Sequence, residues 1–290
     1  MLRIETLTEK ILFICAALAL ATILLMSIFV FKEGYPIIKK VGLLNFILGG
    51  EWSPSSEVFG ILPMIIGTMT TTVGALLLAV PTSVMTAIFL TEFAPKNVEK
   101  VLNPAIELLA GIPSVIYGLF GMTTIVPIIR IMEKTYFSRN SNGISSGYSL
   151  LAAIIILSIM ISPTIIKISK DALKGVRREL KEASLALGAT HWQMVSQIVL
   201  PSAKPGIFSG IILGMGRAIG ETMAVIMVAG NTVKLPESIF SPIRTLTSNI
   251  AIEISYASAG AHTQALFGTA IVLFVMIIGI NSLAIKLYGK

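Results

Sequence analysis

The chain has 290 residues, 54% of them hydrophobic and 13% charged, and its mean hydropathy is +0.87. That excludes an ordinary soluble domain and leaves the bilayer as its solvent. A net charge of +7 could suit nucleic acid, but the Lys and Arg residues gather in loops between apolar runs, so no nucleic-acid partner is expected and membrane lipid is.

A spanning helix needs about 20 mostly apolar residues. Six stretches qualify, which predicts an all-α integral membrane protein. The first, 11–31, reads as an uncleaved span, because it is longer than a signal-peptide core and no clear small-residue cleavage site follows it. It holds Cys15, the single cysteine, which leaves no intrachain disulfide or cysteine metal cluster to consider. Residues 60–90 form span two, kinked or tilted at Pro81. Between 97 and 110, Val98, Val101, Leu102, Ile106 and Leu109 recur at helical spacing among polar residues, predicting an interfacial helix. Spans three to six follow at 114–132, 148–168, 207–228 and 264–287, with a turn-rich loop at 141–146. The organisation expected is a first helix and outer loop, 1–59, followed by a membrane core, 60–290.

Six spans place both termini on one side. Arg3, Lys10, Lys96, Lys100, Lys204, Lys286, Lys290 and the basic run from Lys167 to Lys181 fall on that side, against fewer on the other, among them Lys39, Lys40, Arg139 and Arg244. Cytoplasmic loops carry excess Lys and Arg, so both termini are predicted cytoplasmic.

The longest inside segment, 167–204, is too long for a simple connector. Its centre, EASLALGATHWQMVSQIVLP, reads as helix, turn at Gly188, and a second helix toward Pro201. Such a knob suits the groove of an intracellular partner; a helix lying on the membrane surface is the plainer alternative. Here the chain resembles the ABC importer permeases, whose coupling loop pairs Glu-Ala-Ala with Gly and an Ile-x-Leu-Pro ending. Glu182, Ala183, Gly188, Ile198, Leu200 and Pro201 match in residue and spacing, with Ser184 replacing the third position. The resemblance implies a type I importer permease fold and assigns those residues to ATPase coupling.

The likeness extends to phosphate-importer permeases of the PstC type, through EWSPSSEVFGILPMIIGT, LAGIPSVIYGLFG, GRAIGETMAV, GNTVKLPESIF, TLTSNIAIE and HTQALF, covering most of 40–290. ETMAV in place of ETAPL favours this subunit over its usual partner permease. The resemblance implies import of inorganic phosphate across the inner membrane of a prokaryote, beside a second related permease (PstA-type), two ATP-binding subunits (PstB-type) and an external phosphate-binding protein (PstS-type). Sulfate or molybdate is the alternative cargo.

Independently of family, Arg217 and Glu221 lie about eleven and fifteen residues into span five, near mid-bilayer. A charge there costs about 2.5 to 3.5 kcal/mol, whereas an intrahelical pair at four-residue spacing returns about 0.2 to 0.5 kcal/mol. Substrate contact is therefore expected, a buried structural pair being the alternative. Gly206, Gly210 and Gly214, and Gly216 with Gly220, offer small faces for close helix approach. Thr68 and Thr71, with Thr70 and Thr72, are candidates for a polar path, or hydroxyls that bond their own helix. Ser114 and Tyr117 are weaker candidates.

Ser114 invites comparison with an intramembrane hydrolase, but His191 and His262 belong to opposite faces, and neither shares its depth. No G-x-x-x-x-G-K-[ST] phosphate cradle occurs, so the chain is expected to carry no ATPase site and no cofactor, with ATP and Mg handled by the partner. A channel or secondary transporter is permitted by hydropathy, though no internal repeat marks inverted halves.

Overall fold

The computed structural model describes residues 2–137 and 146–288, with side chains described for 8–135 and 146–286. The expected loop at 141–146 falls almost wholly outside the described residues, as do Arg139, Lys290 and the Arg3 side chain. Within them, six helical stretches are long and apolar enough to cross a membrane.

Helix α1 (Leu2–Val41) runs ten residues past the expected end of the first span, through Pro36. A short α2 (Leu43–Leu48) leads into a hairpin of β1 (Trp52–Ser53) and β2 (Val58–Phe59), paired antiparallel with Trp52 opposite Phe59. Span two is α3 (Leu62–Ile88), which continues through a π-helical turn, Phe89–Phe93. The expected amphipathic helix is α4 (Lys96–Gly111), which has no buried side chain in this chain alone. Span three is α5 (Ser114–Phe120) and α6 (Val126–Met132) joined by a π-helical turn at Gly121–Ile125.

Helix α7 (Leu150–Lys174) is the axis of the bundle. From Leu150 to Leu157 it is apolar on all sides, as a helix surrounded by others must be, with Lys167, Lys170, Asp171 and Lys174 toward its far end, and Ser149 caps it by accepting the Ala152 N–H at 3.3 Å. Helices α3 and α10 flank it. Ala152, Ile156, Met160 and Ile161 of α7 meet Ala75 and Ala79 of α3 in the main core.

Beyond α7 lie α8 (Arg178–Ala186) and α9 (His191–Met194), then a π-helical turn at Val195–Val199 and α10 (Leu200–Ile219). Span five therefore begins near His191, about four turns earlier than the sequence suggested, and the second helix of the expected loop is the start of that span. It also ends early: the chain leaves the helix at 220–222 before α11 (Met223–Val228). Helix α12 (Leu246–Glu253) and α13 (Ala261–Tyr288) complete the chain.

Small residues decide how α10 meets α7. A Cβ on Gly206 would come within 2.5 Å of Ala172, and one on Gly214 within 2.8 Å of Ile165, so the backbones approach where a larger residue would hold them apart. A Cβ on Gly216 meets nothing within 4 Å. One glycine face packs, and the other is open.

Candidate coupling knob and substrate path

The knob is α8, a tight turn, and α9. Gly188 sits at φ +84°, a left-handed conformation that glycine alone adopts without penalty. Its N–H reaches Leu185 O at 3.0 Å and the Ala189 N–H reaches Ser184 O at 3.2 Å, the paired bonds that close a helix end on a glycine. Thr190 then starts α9 with a capping box: its hydroxyl accepts from the Gln193 N–H, and the Gln193 side chain accepts from the Thr190 N–H. Glu182 and Ala183 are exposed on α8, and Glu182 pairs with Arg178 at 2.7 Å. Leu187, 90% exposed, stands at the tip near the exposed Trp192. An uncovered leucine and tryptophan on a rigid turn suit a partner's groove.

The rest of the matched motif lies elsewhere. Ile198 and Leu200 are half-buried, and Leu200 packs with Val195 and Val199 in the core at the knob end; Pro201 opens α10 from an exposed position. Leu200 helps seat the knob on the bundle, and none of the three lies in α8, the turn or α9.

Arg217 and Glu221 do not form a pair. The break at 220–222 removes the helical geometry that would have stacked them four residues apart. Arg217 Nη1 donates to Thr164 Oγ1 of α7 at 3.3 Å. Glu221 Oε1 accepts the Ala224 N–H at 3.0 Å, and its carbonyl accepts from the Thr247 hydroxyl at 2.9 Å. Both side chains are half-buried. The helix expected to run through both positions is therefore interrupted, leaving an arginine on the helix and a carboxylate in the unwound segment. Unwound backbone at membrane depth requires protein partners or a polar cavity, and Thr247 supplies one such partner.

The threonines of α3 serve the backbone. Thr68 donates to Met64 O at 2.8 Å and Thr71 to Gly67 O at 2.6 Å, both from buried positions, and Thr70 does the same to Ile66. Thr68 also accepts the Leu246 N–H at 3.0 Å, fastening α12 to α3. Thr72 Oγ1 is buried with no hydrogen-bond partner. Ser114 begins α5, and the Tyr117 hydroxyl donates to Leu109 O at 2.7 Å.

A second polar cluster, at the end of the bundle away from the knob, centres on Glu253. Its Oε1 accepts from Arg244 Nη1 at 2.8 Å, and its Oε2 meets Trp52 Nε1 at 2.8 Å and His262 Nε2 at 2.9 Å. Arg244 also donates to Asn249 Oδ1 and to the Asn231 carbonyl. Burial and the Glu253 charge push the nearby Tyr256 hydroxyl up. These partners come from four separate segments, so no local spacing announced them; Trp52, Asn231, Asn249, Glu253 and His262 fell within the quoted motifs but were given no part in such a cluster.

The comparisons bear on all of this. Residues 79–288 match the family described as "Binding-protein-dependent transport system inner membrane component". The chain is 40% identical over 267 residues to the "Probable ABC transporter permease protein YqgH" of Bacillus subtilis, covering 90% of this chain and 84% of the relative. It is 36% identical to the "Phosphate transport system permease protein PstC" of Mesorhizobium japonicum, covering 90% and 83%, and 34% identical to a "Probable phosphate transport system permease protein PstC" of Methanocaldococcus jannaschii, covering 89% and 85%. Among solved structures, it is similar to a chain of a bacterial alginate ABC transporter in complex with its pentasaccharide-bound periplasmic protein, with TM-score 0.61, 18% identity and coverage of 94% and 92%. A chain of the inward-facing MetNI methionine ABC transporter gives TM-score 0.57, 19% identity and coverage of 79% and 93%. The fold is that of a type I ABC importer permease, and the chain belongs to the binding-protein-dependent transport system inner membrane components as a multi-pass permease subunit of an ABC importer.

Proposed function

We propose that this subunit passes inorganic phosphate inward, together with a second related permease of the PstA type, two ATP-binding subunits of the PstB type and an external PstS-type phosphate-binding protein. The observation that carries the cargo is the 36% identity, over nine-tenths of the chain, to a phosphate transport system permease. The knob faces the cytoplasm and meets the ATPase, which binds and hydrolyses ATP with Mg; this chain holds no cofactor and no ATPase site of its own. The knob end carries the larger share of Lys and Arg, which supports cytoplasmic termini.

Arg217 and Glu221 are the residues assigned to the moving anion. Arg217 lies one residue from Gly216, whose open face leaves room for a partner or a polar path. A guanidinium keeps its charge when half-buried and forks onto two phosphate oxygens. Phosphate near neutral pH still carries a P–OH group, and the Glu221 carboxylate accepts a hydrogen bond from it while repelling a fully deprotonated oxyanion such as sulfate. Thr68 and Thr71 stay at the border of this path as helix-bonded residues.

The test is uptake by the complete complex in liposomes. Arg217→Gln abolishes phosphate uptake with the complex still assembled, and Glu221→Gln weakens the preference for phosphate over sulfate once the external protein is bypassed. Normal uptake by Arg217→Gln, or failure to assemble, would assign the arginine to structure. Orientation is read in a Cys15→Ser chain: Ser55→Cys is labelled from outside, and Ala186→Cys only after the inside is opened.

A further inference from the structure

Two adjacent residues at the end of span two grip both helices of the knob. Glu92 Oε1 accepts from Lys181 Nζ of α8 at 2.6 Å, and the two side chains are only 6% and 20% exposed. Phe93 sets its ring edge-on to His191 at 4.9 Å and tilted to Trp192 at 6.3 Å, at the start of α9. Helix α8 buries no side chain of its own. Among the described residues, Lys181 with Glu92 is the one ion pair that ties α8 to another element.

The same helix reaches the far end of the bundle. From Thr68 to Glu92 is about 36 Å along a helix. At its distal part Thr68 holds the first residue of α12, Leu246, and the neighbouring Thr247 holds the Glu221 carbonyl. A single stretch, α3 with its π-helical end, therefore touches the knob at one end and the segment over Glu221 at the other.

We infer that Glu92 and Lys181 form the joint through which displacement of the knob reaches span two and, through it, α12 at the opposite mouth of the path. They are positioning residues and touch no substrate. A carboxylate of such low exposure separated from its cation carries a large desolvation cost, so the knob and the end of α3 move as one body. The inference rests on the reading of the knob as the ATPase-facing element.

The experiment uses the complete complex in liposomes, with ATP hydrolysis and phosphate uptake measured in the same vesicles. Glu92→Gln and Lys181→Gln are expected to keep the ATPase bound and hydrolysing while phosphate moved per ATP falls about fivefold or more. The charge-swapped pair, Glu92→Lys with Lys181→Glu, is expected to recover the ratio. An unchanged ratio in the single variants overturns the joint, and so does a loss that the swapped pair fails to recover. Where a single variant reduces assembly, Lys181→Arg decides: a retained ratio supports the joint and a lost one refutes it. A wild-type complex that hydrolyses ATP without moving phosphate counts against the cargo and not the joint. The joint is then read from nucleotide-dependent labelling of Ala251→Cys on α12 in a Cys15→Ser chain, which Glu92→Gln abolishes if the joint holds and leaves intact if it does not.

Discussion

The indole of Trp52 donates to the Glu253 carboxylate at 2.8 Å, joining positions 201 apart in the chain. The same carboxylate takes Arg244 and lies against His262, and it is 6% exposed. Removing one member of a buried charge pair leaves the other without compensation, at about 3 to 5 kcal/mol. Glu253→Leu should therefore lower the thermal midpoint of the detergent-solubilised chain far more than Trp52→Phe, which loses one hydrogen bond to a charged group, about 1.5 to 3 kcal/mol. Lys40→Met, at a pair with both side chains 61% exposed, should change it by less than about 1 kcal/mol. A midpoint for Glu253→Leu equal to that of Lys40→Met would contradict the assignment.

Gly188 isolates backbone from packing. Its φ is +84° and a Cβ there would meet nothing within 4 Å, so substitution costs only the left-handed conformation, about 1 to 2 kcal/mol for most residues and less for Asn. Gly188→Val should weaken ATPase association in a pull-down, Gly188→Asn should weaken it less, and both chains should insert normally. Equal binding by all three would remove the turn from the coupling surface.

The two glycine faces of α10 make opposite predictions. Gly214→Leu drives a side chain into Ile165 and should destabilise the isolated subunit by at least about 1 to 3 kcal/mol. Gly216→Leu points into open space and should leave the isolated subunit unchanged while reducing its co-purification with the second permease proposed above.

Near the knob, Lys174 donates to Glu99 at 2.7 Å and Asn103 also donates to it, which holds the Glu99 carboxyl below its ordinary value. A carboxylate with a lowered folded pKa contributes stability above its unfolded pKa and loses it as pH falls through the folded value. Wild type should accordingly lose slightly more stability than Glu99→Gln on passing below the ordinary glutamate range, and the two should run parallel above it. The difference is small, because the pair is solvated; a wild type more resistant to acid than the variant would reverse the sign and refute the pairing.

Hydropathy gave the count of six spans, and the place of five of them, because the requirement for about 20 apolar residues leaves few alternatives, whereas the fifth begins about four turns earlier than expected; Gly188 was readable because one residue type ends helices in this way. The break after Ile219 was not. Gly220, Glu221 and Thr222 sit in an apolar run whose periodicity continues on both sides, and the partners that satisfy the break, the Thr247 hydroxyl on the Glu221 carbonyl and the Glu221 carboxylate on the Ala224 N–H, are visible only in the fold. Arg217 and Glu221 were thus read as lying on one continuous helix, which the break separates. The Trp52 to Glu253 and Glu92 to Lys181 contacts join residues 201 and 89 positions apart, separations that leave no periodic trace in a single sequence, and the Arg244 and His262 contacts to Glu253 run across the ends of α12, where no single helical period connects them.

The first and last spans lie side by side. A Cβ on Gly34 of α1 would fall 2.7 Å from the Gly268 backbone of α13, and Phe29 meets Phe267 edge-on at 5.4 Å. Membrane insertion proceeds from the N-terminus, so α1 enters the lipid long before the helix that receives it has been translated. It tolerates the wait because its backbone bonds are internal and its surface is apolar. Pairing of α1 thus waits for the emergence of α13, and a ribosome stalled short of α13 leaves α1 in the lipid without the helix it packs against.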